Sequence, residues 1–183
     1  LNGELPTKKQ LKKFENEERK ERKLSKTLLD DIKKFPKKAH PMDAARTAVS
    51  IMGLEDKETK DNSPKANMRK VMRIFAKMPV ALAAFYRARK GKKIIPPKKN
   101  LSFSENFFHM CFGKVPNKEI VKAFDVSLIL YAEHSFNVST FTARTITSSL
   151  SDIHGAITGA IASLKGPLHG GANEEVMHMM NKI

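Results

Sequence analysis

The sequence has a single cysteine, Cys111, among its 183 residues. One thiol excludes a disulfide framework and a thiolate-based metal site, and it fits a reducing compartment. No apolar run reaches the roughly 18 residues that a membrane-spanning helix needs, and the first ten residues, LNGELPTKKQ, lack the pattern of a signal peptide. We therefore expect a soluble, bacterial cytoplasmic protein, although the mitochondrial matrix also fits.

Acidic residues are scarce in the first part of the chain. Residues 1–100 hold 28 basic and 12 acidic side chains, whereas residues 101–183 hold 6 and 7. We divide the chain accordingly, into a basic helical N-terminal part, 1–100, and central helices, 101–183, where chemistry is expected. No nucleic-acid-binding motif is present, so the lysines predict a solvated face or a basic pocket for a phosphorylated or polycarboxylate ligand. The alternative function is a non-catalytic basic helical module that binds acidic partners.

Period-2 strand patterns and internal repeats are also missing, and the pattern that remains predicts an all-α protein. Thr7 with Gln10 and Ser102 with Glu105 form capping boxes, which mark helix starts. The first helix, LKKFENEERKERK, has few apolar residues and is expected to be mostly solvated. A long apolar helix is predicted from Asn117 toward position 134. Another begins at position 67, and its predicted buried side comprises Met68, Met72, Phe75, Leu82 and Phe85.

Two helical stretches follow, at roughly 139–150 and 152–165. In the second, Gly155 and Gly159 would each cost about 1 kcal/mol in a lone exposed helix. Small residues at positions i, i+3, i+4 and i+7 of a helix allow two helix backbones to approach closely. The segment therefore predicts a buried interface, within the chain or with a second subunit; its small-residue face comprises Ala156, Gly159, Ala160 and Ser163.

The segment KGPLHGGAN, residues 165–173, holds a histidine where two helices are expected to meet. A Gly-Pro pair ends one helix and a glycine pair leads into the next, so a substrate can approach the backbone closely beside His169. An imidazole at a helix start favours an anion or an enolate-like oxygen, to which it can donate a hydrogen bond. The alternative is a glycine-rich turn that carries a surface histidine.

A second candidate lies in YAEHSFN, residues 131–137, at the end of the long apolar helix. An imidazole at position 134 could bind a carboxylate, and Asn137 could cap the next helix. The alternative is that His134 is satisfied by the carbonyls of its own helix. The remaining histidines are weaker candidates. His40 precedes Pro41 and His109 lies in an aromatic helix, so both are interpreted as packing or surface residues. His154 and His178 lack the partner spacing of a zinc-binding helix.

These motifs resemble the citrate synthase family, including 2-methylcitrate synthases. The resemblance covers nearly the whole chain. It is carried by LNGELPT, AHPMDAARTAVS, LSFSENFFHMCFGKVP and DVSLILYAEHSFNVSTFTARTITSSLSDIHGAITGAIASLKGPLHGGANEEVMHMM. The combination of KGPLHGGAN with an upstream AEH is highly specific.

The resemblance implies condensation of acetyl-CoA or propionyl-CoA with oxaloacetate, without a metal or redox cofactor. His169 would polarise the thioester carbonyl as an enol forms, and His134 would bind oxaloacetate, with Asn137 beside it. The YAEHS form, in which Tyr131 and Ser135 replace the outer residues of HADHE, is closer to the 2-methylcitrate synthase pattern and favours tolerance of propionyl-CoA. Many members of the family accept both acyl groups, so the acyl group stays open. The family also implies a homodimer, with the contact expected around helices 139–165.

The resemblance further implies a smaller domain that would supply a catalytic Asp, another His and carboxylate-binding Arg residues. We find no counterpart of these residues in the sequence. We therefore expect this chain to be the helical large-domain core of such a fold, and to be inactive by itself.

Overall fold

The computed structural model describes residues 3–132 and 135–182, and these residues contain helices and no strand. The all-α prediction is therefore confirmed. None of the described helices has both the length and the apolar character that a bilayer crossing requires. The helices are α1 (Lys8–Glu21), α2 (Lys26–Lys34), α3 (Pro41–Glu55), α4 (Pro64–Arg89), α5 (Phe103–Phe112), α6 (Lys118–Leu130), α7 (Val138–Ser148), α8 (Ile153–Leu164) and α9 (Gly171–Met180).

Most helix starts follow from side-chain caps that the sequence displays. The two predicted capping boxes are present at the starts of α1 and α5. Asn117 and Asn137 cap α6 and α7, and each accepts a hydrogen bond from a backbone N–H in the first turn. Such caps satisfy donors that a helix start would otherwise leave unpaired, which is why these asparagines locate the helix boundaries.

The core is built around α4, which packs against α1, α2, α3 and α5. Its alanine-rich second half lets neighbouring helices approach, while Phe85 fills the space between them and is 2% exposed. α8 lies against α3 and α7 and closes a second, smaller cluster around Val49, Ile74 and Ile161. Because α3 packs against both α4 and α8, it links the core of the first half of the chain to the helix that precedes the turn after α8.

The close approach predicted at Gly159 occurs within the chain. A Cβ atom at this position would collide with Cδ1 of Ile146 and would lie 3.6 Å from Cγ2 of Thr142, both on α7. Ala156, on the same face, is 2% exposed. At Gly159 and Ala156, the small-residue face of α8 is therefore packed within its own chain.

Two sequence predictions about helices were wrong in part. Met68 and Phe75 were expected on the buried side of α4, yet they are 65% and 43% exposed. The lysine-rich part was expected to be solvated, whereas Lys70 is fully buried and its Nζ donates a 2.7 Å hydrogen bond to the Asp61 carbonyl. The predicted helix from Asn117 toward position 134 is confirmed as α6, which ends at Leu130. Predictions about positions 133 and 134 lie outside the described residues.

Candidate active site

Five helix ends meet at a cavity of about 470 Å³. The first turns of α3, α7 and α9 contribute to its wall, and so do the ends of α6, through its C-cap Tyr131, and of α8. A helix start carries a partial positive charge, so three of the five ends favour a negatively charged ligand. The cavity is lined by His40, Met42, Tyr131, Asn137, Ser139, Leu164, Lys165, His169, Gly170, Gly171 and Glu174.

His169 lies on the tight turn between α8 and α9, as the sequence predicted. Its backbone N–H donates to the Gly166 carbonyl at 3.0 Å, and the Gly171 N–H donates to the same oxygen at 3.2 Å. Gly170 lies directly against the last turn of α8, where any Cβ atom would collide with the Leu164 carbonyl oxygen. Glycine is therefore required at position 170 so that the turn can close and place His169 at the cavity.

The imidazole of His169 is held from across the cavity by Ser139. The distance between Nε2 of His169 and Oγ of Ser139 is 2.7 Å. Ser139 lies in the first turn of α7, two residues after the Asn137 cap, so the cap also determines where the hydroxyl points. The sequence did not predict a role for Ser139, because serine is common in the first turn of a helix and this one belongs to no recognisable motif.

Asn137 lines the same cavity as His169, which is necessary if both residues bind the substrates. Its Oδ1 accepts a 2.9 Å hydrogen bond from the Thr140 N–H, so the predicted capping role is confirmed. Asn137 also lines a neighbouring cavity of about 530 Å³, to which Phe141 and Arg144 contribute. The third predicted site residue, His134, lies outside the described residues.

Two further polar contacts join α3 to the segments on either side of the His169 turn. Nε2 of His40 lies 3.1 Å from Oε2 of Glu174, in the first turn of α9. Nζ of Lys165, just after α8, lies 2.7 Å from Oδ2 of Asp43. Hydrogen bonding to His40 lowers the pKa of Glu174, and hydrogen bonding to Lys165 lowers that of Asp43. Both carboxylates therefore remain ionised at neutral pH.

The sequence predicted a packing or surface role for His40. Its Nδ1 accepts a 3.1 Å hydrogen bond from the Met42 N–H, so His40 is the N-cap of α3. The proton of a neutral His40 ring therefore lies on Nε2, which faces Glu174. A histidine directly before Pro41 at the first helical position was the available signal, since proline is common there.

Two other ionisable side chains that could take part in chemistry, His154 and Cys111, lie outside this cavity. His154 is 2% exposed beside Asp56 and Asp152, and burial lowers its pKa. Burial also raises the pKa of the Cys111 thiol to about 11, so this cysteine is not a thiolate at neutral pH. Among the described residues, no three His, Cys, Asp or Glu side chains are grouped so that they could hold a metal ion.

The structure thus defines an all-helical protein in which a hydrogen-bonded histidine stands at a cavity formed by helix starts. The family model described as citrate synthase, C-terminal domain, matches residues 1–183. The chain belongs to the citrate synthase family.

The chain is 50% identical over 181 residues to the 2-methylcitrate synthase of Mycobacterium tuberculosis, which covers 99% of this chain and 46% of that protein. It is 49% identical over 181 residues to the citrate synthase of Mycolicibacterium smegmatis, with 99% and 48% covered. The citrate synthase of Thermoplasma acidophilum, solved with carboxymethyl coenzyme A and oxaloacetate, superposes with a TM-score of 0.90 at 32% identity; the match covers 100% of this chain and 48% of that one. The chain therefore spans about half the length of the relatives it matches.

Proposed function

We propose that the protein condenses an acyl-CoA with oxaloacetate to give a tricarboxylate and free CoA. The supporting observation is the position of His169, which is hydrogen-bonded to Ser139 at a cavity surrounded by three helix starts. Oxaloacetate carries two carboxylates and CoA carries phosphates, so both substrates match the positive ends of those helices. The family membership of the whole chain supports the same chemistry.

In the proposed reaction, His169 donates a hydrogen bond to the thioester carbonyl oxygen while a base removes a proton from the adjacent carbon. The resulting enol carbon attacks the ketone carbon of oxaloacetate, a carbon–carbon bond forms, and the ketone oxygen takes up a proton. Water then attacks the thioester carbon and the carbon–sulfur bond breaks. The sulfur leaves as the free CoA thiol, and the acyl carbon becomes the third carboxylate.

The other two predicted site residues, His134 and Asn137, act on oxaloacetate, the ketone substrate, in this proposal. We propose that His134 binds oxaloacetate and that Asn137 lies beside it, since Asn137 borders both cavities. The steps require no metal or redox cofactor, because they exchange protons and one carbon nucleophile only. Acetyl-CoA and propionyl-CoA both remain candidate substrates, since the relatives include proteins named for each product.

The test is release of free thiol in the presence of oxaloacetate, with acetyl-CoA and propionyl-CoA in parallel. The protein is the full translation of the open reading frame that encodes this chain. We expect release with at least one thioester and none without oxaloacetate. Folded protein that releases no thiol with either would contradict the proposal and would favour the basic binding module.

Three further proposals accompany this function. The protein acts as a homodimer in the cytoplasm, and residues 139–165 contribute to the subunit contact. The 183-residue polypeptide on its own is inactive, because the family resemblance assigns the base that removes the α-proton to a smaller domain. Thiol release by a polypeptide of verified 20.6 kDa mass would contradict the last of these.

A further inference from the structure

The first turn of α3 contacts both segments that flank the His169 turn. His40, the N-cap of α3, meets Glu174 on the α9 side, and Asp43, three residues later, meets Lys165 on the α8 side. The first contact joins two residues that are 134 positions apart in the sequence, and the second joins two that are 122 positions apart. α3 itself is fixed by its buried face, on which Ala48 and Val49 are at most 1% exposed. The two contacts therefore attach the turn to a rigid element.

The α8 side of the turn is also held by helix packing, because α8 lies against α3 and α7 and Gly170 lies against Leu164. The α9 side has less support, since Leu168, next to His169, is fully exposed and the start of α9 has no side-chain cap. The contact of His40 with Glu174 therefore restrains the flank that helix packing restrains least. Together with the contact of Asp43 with Lys165, it helps to determine where the imidazole lies relative to Ser139.

We propose that the first turn of α3 positions His169, with His40 acting through Glu174 and Asp43 acting through Lys165. The inference rests on the proposed function for its catalytic consequence, because His169 must meet the thioester oxygen in one geometry. A displacement of about 1 Å can cost about a hundredfold in rate when a catalytic group is moved out of line. His40 and Asp43 are accordingly positioning residues in this proposal.

Asp43 gives the cleaner test, because it does not line the cavity whereas Lys165 does. Asp43→Asn weakens the ion pair with Lys165, and also the 3.0 Å pair with Arg46 on α3 itself, and leaves every residue of the cavity wall unchanged. His40→Asn is the second variant. Asparagine is a strong N-cap, so it preserves the start of α3, yet it is too short to reach Glu174. The matched control is Asp30→Asn, which removes an equally short 2.7 Å ion pair, with Lys33, on α2.

Two measurements separate this proposal from the function on which it rests. The nitrogen NMR resonances of the His169 imidazole report its hydrogen bonding directly. The chain has six histidines, so the His169 signal is assigned as the one that is missing in a His169→Gln variant. Steady-state thiol release reports the catalytic consequence. We expect both test variants to shift the His169 signals and to lower kcat at least about tenfold, with KM changed less than about threefold. Asp30→Asn should change neither.

His169 signals that stay at their wild-type positions in both test variants would overturn the proposal. So would a lower kcat without any shift of those signals, because the effect would then arise at another group. If wild-type protein releases no thiol, the proposed function fails, and the resonances still decide whether α3 positions the turn.

Discussion

Ser139 holds the imidazole of His169 through a single hydrogen bond of 2.7 Å. Ser139→Ala removes it and leaves the Asn137 cap of α7 intact. We expect thiol release to fall at least about tenfold, since the ring loses a hydrogen bond that helps to orient it. The unfolding free energy should change by less than about 1.5 kcal/mol. Ser148→Ala, on the same helix, removes only a bond to the Thr145 carbonyl and is the control. Equal rates in the two variants would contradict the role of Ser139.

The pH dependence of stability should depend on His154. Burial lowers the pKa of this histidine from its ordinary 6.5, although Asp56 and Asp152 act in the opposite direction. Below pH 6.5 the unfolded chain binds the proton more readily than the folded chain, so the free energy of unfolding falls as the pH falls. His154→Leu should flatten this slope between pH 7.5 and 5.5 in urea titrations. His178→Gln, at an exposed position, controls for loss of an imidazole, and a slope unchanged by His154→Leu would refute the assignment.

At the scale of single residues, the sequence predicted His169 and Asn137 because each has a local signal. His169 is surrounded by glycines that only a tight turn explains, and Asn137 directly precedes a helix. Ser139 and Glu174 lack such a signal, and the signal at His40, a histidine directly before Pro41, marks only a helix start; the contacts of all three residues at the cavity arise between distant helices. Their partners are decided by how α3, α7 and α9 pack, which no short motif encodes.

Among the helices, the packing of α8 on α7 rests on a glycine. A Cβ atom at Gly159 would collide with Cδ1 of Ile146, so Gly159→Ala should destabilise the protein by about 1–2 kcal/mol. Ile146→Val removes that atom. In the Ile146→Val background, Gly159→Ala should be neutral or stabilising by up to about 1 kcal/mol, because alanine favours the helix. Urea unfolding of the four chains measures this coupling, and additive effects would show that the two side chains do not meet.

α1 illustrates a limit of pattern-based prediction. Its run of charged residues predicted a mostly solvated helix, and most of α1 is exposed. The side chains of Glu18 and Arg22 are nevertheless only 5% and 3% exposed and are paired at 2.7 Å. Arg22 also donates to the carbonyls of Lys98 and Leu101, which join α1 to the segment before α5. A charge count along one helix cannot predict that a distant loop will cover part of its surface.

Glu18→Gln should therefore be far more costly than its neighbour Glu17→Gln. Breaking a buried ion pair costs about 3–5 kcal/mol, because the remaining charge is left without its partner. The pair of Glu17 with Lys13 is solvent-exposed at 3.9 Å and should contribute less than about 1 kcal/mol. Thermal and urea unfolding of both variants would measure the difference. Similar losses in the two would show that Arg22 is satisfied by the loop carbonyls alone.

On the scale of the whole molecule, the sequence predicted the helical class and most helix starts, but not which surfaces remain uncovered. Periodicity identifies an apolar side without identifying its partner, and Met68 and Phe75 were assigned to the core for that reason. The end of α6, the segment after it and α7 likewise leave large apolar side chains exposed. These are Ile129 (73%), Leu130 (74%), Tyr131 (70%), Phe136 (100%) and Phe141 (71%).

An apolar surface of this extent is typical of an interface, so it bears on the proposed homodimer. Phe141 lies within residues 139–165, and Phe141→Lys places a charge on that surface without touching the Gly159 contact. We expect sedimentation velocity to show a dimer for the wild type and a monomer for Phe141→Lys, with unchanged helix content by circular dichroism. Met68→Lys, on the exposed side of α4, should remain dimeric. The reverse result, a dimeric Phe141→Lys and a monomeric Met68→Lys, would move the subunit contact from α7 to α4.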